Sequence, residues 1–522
     1  MRKQKSTWKF VTLVAMIFVL CLSTIPAKPA MASTPQPKRE MRAVWISTVH
    51  NIDMKAGMNK EQYTAWARKT LDQLKANRLN TVIYQVRPTN DALYASELAP
   101  WSSYITGKKQ GTDPGYDPLA IMVEEAHKRG MELHAWMNPY RVTMPNQKLT
   151  DLAANNVARK NPNWVVKYGR QYYLNPGLPE VQDYLVDTVR ELVANYDIDA
   201  VHMDDYFYPY KIANEAFPDQ AAYKKYGASF KKVDDWRRDN VNQLVENLYT
   251  AIKDTKPYVQ FGISPFGVWR NKSLDKTGSD TRAGVNNYDD LYADVRTWIR
   301  NGTIDYITPQ IYWSRTLAAA KYGTLLNWWS HEVQTYAEVH PVQLYIGLAD
   351  YKVGNDNDAA WKNKMELPSQ ILANRSEQVA AKGQMHFSLT SMQNNKLGYA
   401  TIVNQQLYNY TALTPDTSWN DATVPAKPTF VQVTKEKTGR QIDIIDENET
   451  QPRKYVIYRF AGNSKGSYDA PQHIVDVVYN TDGVTTFVDK TALPKRSYTY
   501  GITAISATGV ESREVFVVKE DK

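Results

Sequence analysis

Short apolar runs alternate with amphipathic stretches along most of the chain. Eight runs rich in β-branched or aromatic residues have the length of buried strands. They span residues 41–48, 81–87, 131–137, 200–205, 259–265, 304–311, 343–348 and 385–391. Apolar positions recur at helical spacing over 61–76, 118–129, 179–194, 234–253, 289–300, 324–337, 369–381 and 395–407. Eight strand–helix alternations predict an α/β fold, a (β/α)8 TIM barrel.

A doubly wound open sheet is the alternative for the same alternation. It is disfavoured because no glycine-rich phosphate-binding turn follows the first run. The segments longer than a minimal barrel needs are 89–115, 140–172 and 206–232, after the second, third and fourth runs. In a barrel these loops lie at the carboxyl ends of the strands, where active sites are built. We therefore expect them to wall a groove.

The pattern changes near residue 412. Residues 413–428 are rich in Thr, Asp and Pro and are predicted to be a linker. Residues 429–522 contain about seven short alternating runs, including 498–506 (YTYGITAIS). These runs predict a small all-β sandwich of the immunoglobulin or fibronectin type III kind. The predicted order is signal peptide 1–32, catalytic barrel 33–412, linker 413–428 and sandwich 429–522.

The amino-terminal segment has the pattern of a secretory signal peptide. Basic residues at positions 2–9 precede an apolar stretch at 10–22, and 30–32 (AMA) is a small-residue cleavage site. The single cysteine, Cys21, lies inside this segment, and Leu20 before it disfavours a lipoprotein. We expect a secreted protein, with cell-wall association as an option. No stable membrane insertion is expected after cleavage.

Charge and composition narrow the choice of function. The net charge of +8 falls to about +3 without the five basic residues of the signal peptide, and no basic stripe supports nucleic-acid binding. A mature chain without cysteine can form neither disulfides nor thiolate metal sites. The sequence also lacks a closely spaced pair of histidines of the kind that binds a metal ion. We expect no cofactor. The 14 Trp and 35 Tyr, against 12 Phe, suit stacking on sugar rings, although a large aromatic core would give the same counts.

Two consecutive acids, Asp204 and Asp205, end the fourth run, and Asp350 follows the seventh. Glycoside hydrolysis needs a protonated acid and a second group that attacks or stabilises the anomeric carbon. In one mechanism Asp205 is the acid and Asp350 the nucleophile or base. In the other, Asp204 and Asp205 act together on an N-acetylated sugar whose own acetamido oxygen attacks. A metal site or a capping role for the acid pair is the structural alternative.

Other strand ends carry side chains suited to binding sugar. The candidates for substrate contact are Arg87, Asn138, Tyr140, Arg141, Tyr206, Trp269, Gln310, Tyr312 and Trp313. Each has a plainer interpretation, because the arginines can pair with the aspartates and the aromatic residues can belong to the core. His134 and His202 lie within strands and are expected to be interior histidines.

Six motifs together resemble the glycosyl hydrolase-like 10 family of exported bacterial proteins. They are 41–45 (MRAVW), 85–88 (QVRP), 136–141 (WMNPYR), 204–209 (DDYFYP), 264–269 (SPFGVW) and 309–313 (PQIYW). The resemblance covers about residues 39–410 and implies a catalytic barrel with glycosidase activity. The implied substrate is peptidoglycan glycan, as strands stripped of their stem peptides. It also places Asp204 and Asp205 on the acidic motif of the family.

The resulting interpretation is an exported glycoside hydrolase acting on cell-wall amino-sugar glycan, a polysaccharide. Two alternatives stay open. One is a glycosidase for another exopolysaccharide, and the other is a non-catalytic protein that binds wall glycan.

Overall fold

The structure is a computed structural model that describes residues 36–464, 466–481 and 483–520. The predicted signal peptide, 1–32, lies outside the described residues, and Cys21 lies outside them as well. Within the described residues, no helix has the length and apolar character needed to cross a bilayer.

Eight parallel strands close a barrel. The first ten strands of the described chain are β1 (Met41–Ile46), β2 (Thr81–Arg87), β3 (Glu132–Met137), β4 (Val165–Tyr168), β5 (Gln171–Leu174), β6 (Ala200–Met203), β7 (Gln260–Ile263), β8 (Tyr306–Ile307), β9 (Gln343–Leu348) and β10 (Ala381–His386). The order of strands around the barrel is β1-β10-β9-β8-β7-β6-β3-β2. Strands β4 and β5 form a separate antiparallel hairpin. The prediction of a TIM barrel is confirmed.

Eight longer helices accompany the barrel in the described chain, and the first three begin at a capping residue or a proline. They are Lys60–Ala76, Pro118–His127, Pro179–Asn195, Gln220–Tyr226, Val233–Thr255, Val295–Asn301, Tyr322–Tyr336 and Glu366–Asn374. Asn59 and Gln62 form a capping box at the first of them. Asp117 caps the second helix. The second and third helices both begin with a proline, Pro118 and Pro179. Four short helices, Ser103–Thr106, Val157–Lys160, Asn287–Asp290 and Leu389–Asn394, lie in the loops after strands.

Three local predictions differ from the structure. The eighth barrel strand begins at Ala381 rather than at residue 385, because the helix expected to reach 381 already ends at Asn374. The helix expected over 395–407 is interrupted, since Leu397 and Gly398 take left-handed conformations with φ of 58° and 78°. It continues as Tyr399–Ile402 and a π-helical turn, Val403–Leu407. The hairpin of β4 and β5 lies in a segment expected to be loop.

A buried polar chain crosses the barrel interior. The Tyr306 hydroxyl lies 2.9 Å from Nδ1 of His202 and 2.9 Å from Nδ1 of His134. Gly262 makes room for the Tyr306 ring, because a Cβ there would stand 1.9 Å from its Cζ. Burial and the neighbouring His134 keep the pKa of His202 well below its usual value. Both histidines are therefore interior groups with hydrogen-bond partners.

The carboxyl-terminal part is all β. Its strands are β11 (Phe430–Glu436), β12 (Gly439–Ile445), β13 (Lys454–Ala461), β14 (Ile474–Tyr479), β15 (Val484–Asp489), β16 (Tyr498–Ile505) and β17 (Phe516–Lys519). They form two antiparallel sheets in the orders β11-β12-β15 and β14-β13-β16-β17. Apolar residues of both sheets, such as Ile442 and Tyr500, share one core. The all-β prediction is confirmed, whereas the fibronectin type III assignment and the domain boundaries stay predictions.

The sandwich contacts the amino ends of barrel strands through ion pairs. Lys454 Nζ lies 2.7 Å from Glu132, the first residue of β3. Arg453 lies 2.9 Å from Asp199, which immediately precedes β6. The carboxyl ends of the barrel strands therefore lie at the face opposite these contacts.

Candidate active site

A cleft of about 320 Å³ opens at the carboxyl ends of the barrel strands. Its lining consists of Trp45, Ser47, Val49, Ile52, Gln85, Trp136, Arg141, Asp204, Asp205, Tyr206, Tyr210, Ser264, Gln310, Tyr312, Tyr351 and Phe387. Seven of these sixteen lining residues are aromatic, and both members of the acid pair belong to the lining. A volume of this size falls in the range of small-molecule and sugar-unit sites.

Asp204 is held by three donors directly after β6. Its Oδ2 accepts from Asn138 Nδ2 at 2.6 Å and from Trp136 Nε1 at 3.1 Å. Its Oδ1 accepts from the backbone N–H of Tyr206 at 3.2 Å. Asn138 is fixed as the donor, because its own Oδ1 accepts from Gln85 Nε2 at 2.8 Å. Donors stabilise a carboxylate, so the hydrogen bonds from Asn138 and Tyr206 lower the pKa of Asp204, against the burial that raises it.

Asp205 has different partners. Its Oδ2 accepts a hydrogen bond from the Tyr210 hydroxyl, and its Oδ1 accepts one from Gln310 Nε2 at 3.3 Å. Gln310 also donates to the backbone oxygen of Ser264 at 2.9 Å, which positions its amide after β8. The Tyr210 hydroxyl oxygen can also accept, so a proton on Asp205 can be accommodated.

Burial dominates the electrostatics of the pair. Both side chains are about 5% exposed. Burial and then the charge of Asp205 raise the pKa of Asp204 to about 7. Burial also raises the pKa of Asp205, against the hydrogen bond from Tyr210 that lowers it. The pair consequently keeps one proton up to about neutral pH, the condition for general acid catalysis there.

Asp350 lies apart from this pair. Among the described residues it is not part of the cleft lining, and it is 2% exposed. Its carboxylate oxygens lie 3.0 and 3.2 Å from His386 Nδ1, and Oδ1 accepts from the Tyr399 hydroxyl at 2.9 Å. The carboxylate of Asp350 is therefore occupied by contacts with two buried side chains, His386 and Tyr399.

The predicted substrate contacts fall into three sets: four line the cleft, one lies behind it and four lie away from it. The cleft contains Arg141, Tyr206, Gln310 and Tyr312. Asn138 lies behind them and acts through Asp204.

Four predicted contacts lie away from the cleft lining. Arg87 and Tyr140 are fully buried, and Arg87 donates to Asn90 and to the Tyr184 hydroxyl. Trp269 stacks on Trp328 with the ring centroids 5.8 Å apart. The fourth, Trp313, packs edge-on against Phe266. Their predicted role in binding substrate stays a prediction.

Several cleft residues were absent from the sequence-based candidates. Trp45 and Trp136 lie within strands β1 and β3, where an apolar residue is indistinguishable from core. Tyr210 lies five residues after Asp205 in a loop whose path the sequence does not specify. Phe387 directly follows β10, whose bounds were displaced in the prediction. The alternation of inward and outward residues toward the end of each strand is the signal that could have identified the tryptophans.

A larger groove of about 890 Å³ lies between the helix Pro118–His127 and the sandwich. Its charged side chains are paired: His127 Nε2 lies 2.9 Å from Asp199, and Arg453 Nη1 lies 3.0 Å from Asp197. It therefore offers no acid pair for chemistry. Within the part of the chain that the structure describes, no three His, Cys, Asp or Glu side chains form a group that could hold a metal ion.

A closed parallel barrel with an acid pair in an aromatic cleft at the carboxyl ends of its strands is the architecture of barrel glycosidases. The chain belongs to the Glycosyl hydrolase-like 10 family, which it matches over residues 40–363. The protein is accordingly a glycoside hydrolase acting on a carbohydrate.

Named relatives agree with this assignment. The chain is 48% identical over 518 residues to "Glycosyl hydrolase YngK" of Bacillus subtilis (strain 168), covering 98% of each chain. It is 42% identical over 367 residues to "Glycosyl hydrolase DigH" of Escherichia coli (strain K12), covering 65% of this chain and 82% of that one.

Among solved structures, the PgaB (BpsB) glycoside hydrolase domain from Bordetella bronchiseptica is similar with a TM-score of 0.44 and 12% identity, covering 71% of this chain and 99% of that chain.

Proposed function

We propose that the protein is an exported hydrolase of cell-wall amino-sugar glycan, acting on peptidoglycan strands that lack stem peptides. The observation that carries this proposal is the buried pair Asp204 and Asp205, which faces an aromatic cleft and retains one proton near neutral pH. Export rests on the signal-peptide pattern of residues 1–32. The amino-sugar class rests on the absence of a second free carboxylate across the described cleft.

The chemistry assigns one role to each acid. Asp205 donates its proton to the oxygen of the scissile bond while the acetamido oxygen of the sugar attacks the anomeric carbon. Asp204 accepts a hydrogen bond from the acetamido N–H, which makes the acetamido oxygen a better nucleophile. The C–O bond breaks, the leaving sugar departs as an alcohol, and a cyclic oxazolinium intermediate remains. Asp205, now ionised, takes a proton from water as the water oxygen attacks the anomeric carbon. The bond from that carbon to the acetamido oxygen breaks, and the acetamido group is restored.

The hydrogen-bond partners support this division of roles. Trp136, Asn138 and the backbone N–H of Tyr206 are all donors to Asp204, and such donors favour its carboxylate form against the burial and the Asp205 charge that raise its pKa. Asp205 contacts a hydroxyl and an amide, which tolerate either protonation state. The alternative route through Asp350 is less well supported, because Asp350 is buried against His386 and Tyr399.

The substrate class is tested by measuring released reducing ends and product masses. Wild-type protein is incubated with amidase-stripped peptidoglycan, intact peptidoglycan and chitin oligomers. Products from stripped strands alone support the proposal. Products from none of the three favour another exopolysaccharide or a non-catalytic binding protein, and glycan binding without products identifies the latter.

The two acids are told apart with aryl glycosides of N-acetylglucosamine that differ in leaving-group acidity. A variant lacking the general acid recovers activity on a dinitrophenyl leaving group, which needs no protonation. We expect Asp205→Asn to recover activity in this way and Asp204→Asn to remain slow on every leaving group. The opposite pattern would exchange the two roles.

A further inference from the structure

Arg141 is the only cation among the described residues that line the cleft. The other charged lining residues are Asp204 and Asp205, and the rest are neutral. Among the described residues no carboxylate lies within ion-pair distance of Arg141, and its guanidinium contacts the backbone oxygen of Pro88 and the ring of Tyr206. A buried guanidinium without an anionic partner suggests that the partner arrives with the ligand.

The guanidinium is held in a fixed orientation. Its Nε donates to the backbone oxygen of Pro88 at 2.9 Å, and its Cζ lies 5.1 Å from the centroid of the Tyr206 ring. Arg141 is 9% exposed, and within the described residues Nη1 and Nη2 have no hydrogen-bond partner. The Nε of the guanidinium thus positions the side chain, while Nη1 and Nη2 are free to donate hydrogen bonds to a ligand in the cleft. This arrangement matches two-point recognition of a carboxylate.

We propose that Arg141 binds a carboxylate carried by the sugar, so that the cleft selects acidic amino-sugar glycans. This inference rests on the proposed function, since it concerns the same site. The carboxylate has two possible sources in glycans, the lactyl ether of N-acetylmuramic acid and the C6 acid of a uronic acid. In strands that carry stem peptides the lactyl group is an amide and is uncharged. Recognition by Arg141 therefore gives a physical reason for acting on stripped strands.

A second role for Arg141 has to be separated from this one. Its charge lowers the pKa of both Asp204 and Asp205, which burial raises. If that were its whole role, neutralising Arg141 would change the pH profile and slow the hydrolysis of all glycans by the same factor. Carboxylate recognition instead changes the ratio between charged and neutral substrates. The ratio is therefore the decisive quantity.

The test compares stripped peptidoglycan strands with the same strands converted to lactyl methylamides. Wild type, Arg141→Gln, Arg141→Lys and Arg315→Gln are assayed for kcat/KM, and folding is checked by thermal melting. Arg315 is an exposed arginine after β8 outside the cleft lining and serves as the matched control. We expect wild type and the control to prefer the acid about tenfold to a hundredfold. We expect the preference to shrink to about one in Arg141→Gln and to be intermediate in Arg141→Lys.

Two further arms complete the experiment. Oligosaccharides of alternating uronic acid and N-acetylhexosamine, with their methyl esters, test the second source of the carboxylate. Binding of N-acetylmuramic acid and its methyl ester, measured by calorimetry, needs no turnover. Equal binding of acid and ester by wild type overturns the role of Arg141, whether or not glycan is cleaved. Selective binding of the acid with no cleavage of any glycan keeps that role and rejects the proposed hydrolysis.

Discussion

Asn138 donates a 2.6 Å hydrogen bond to Asp204 while its own oxygen accepts from Gln85. Strand β2 thereby fixes the amide that holds the acid after β6. Asn138 is fully buried, so its contribution is to position Asp204 and stabilise its charge rather than to contact sugar. Asn138, in the motif 136–141 after β3, therefore supports the chemistry of Asp204 after β6.

Replacing Asn138 with alanine should therefore impair turnover more than binding. We expect kcat to fall at least about tenfold, the loss of about 1.4 kcal/mol of transition-state stabilisation. The hydrogen bond from Asn138 lowers the pKa of Asp204, so its loss should move the pH optimum upward. Steady-state kinetics across pH measure both effects. An unchanged kcat with a raised KM would instead make Asn138 a contributor to ground-state binding.

The pH profile of kcat/KM should decline above about pH 7, because the acid pair loses its remaining proton there. Tyr210→Phe removes the hydroxyl that lowers the pKa of Asp205, and the declining limb should move to higher pH. A Tyr351→Phe variant, altered elsewhere in the cleft lining, should leave the limb in place. A wild-type rate that is constant to pH 9 would contradict the shared proton.

Asp350 should prove structural. Asp350→Asn weakens the buried contacts with His386 and Tyr399, and we expect a loss of about 1–3 kcal/mol in the free energy of unfolding. We expect kcat to stay within about tenfold of wild type, because Asp350 does not line the cleft. Denaturant unfolding and kinetics on the same preparations measure this. A large loss of kcat at unchanged stability would restore the mechanism with Asp350 as nucleophile.

The sandwich should stabilise the barrel in a pH-dependent way. Burial alone would raise the pKa of Glu132, but Lys454 and His134 together outweigh it and lower that pKa to about 2. Lys454→Met leaves the buried Glu132 carboxylate without its lysine partner, and we expect a loss of about 3–5 kcal/mol at pH 7. A lowered pKa contributes stability above the unfolded value near 4.5 that is lost toward pH 2, so the difference between variants should shrink on acidification.

The control for this prediction is the double variant Glu132→Gln with Lys454→Met. It removes both charges and should recover much of the stability, since no ion is left buried alone. Equal losses for the single variant at pH 7 and pH 3 would show that packing, not charge, is responsible.

The sequence was sufficient for the barrel because all eight strands are short apolar runs separated by helical periodicity. It failed where polar residues form structure. The β10 start, Ala381 to Gln384, contains Lys382 and Gly383, so its apolar signal begins only at Met385. The hairpin of β4 and β5 is half-buried, and its apolar and polar residues do not alternate clearly, so the sequence does not identify it as a pair of strands.

The sequence predicted the acids of the candidate site and four further lining residues, Arg141, Tyr206, Gln310 and Tyr312, but not its tryptophans. Adjacent carboxylates after a buried run are rare enough to identify from sequence, and the structure places both in the cleft. Arg87 and Arg141 have similar sequence contexts, yet Arg87 is buried against Tyr184 while Arg141 faces the cleft. That distinction depends on how loops pack across the barrel mouth, which local sequence does not encode.

The measurement that tests the central claim most directly is reducing-end release from amidase-stripped peptidoglycan by Asp205→Asn beside wild type and Asp350→Asn. We predict products from wild type and Asp350→Asn, and a loss of at least about a thousandfold in Asp205→Asn at unchanged melting temperature. Comparable rates for wild type and Asp205→Asn would contradict catalysis by the acid pair after β6.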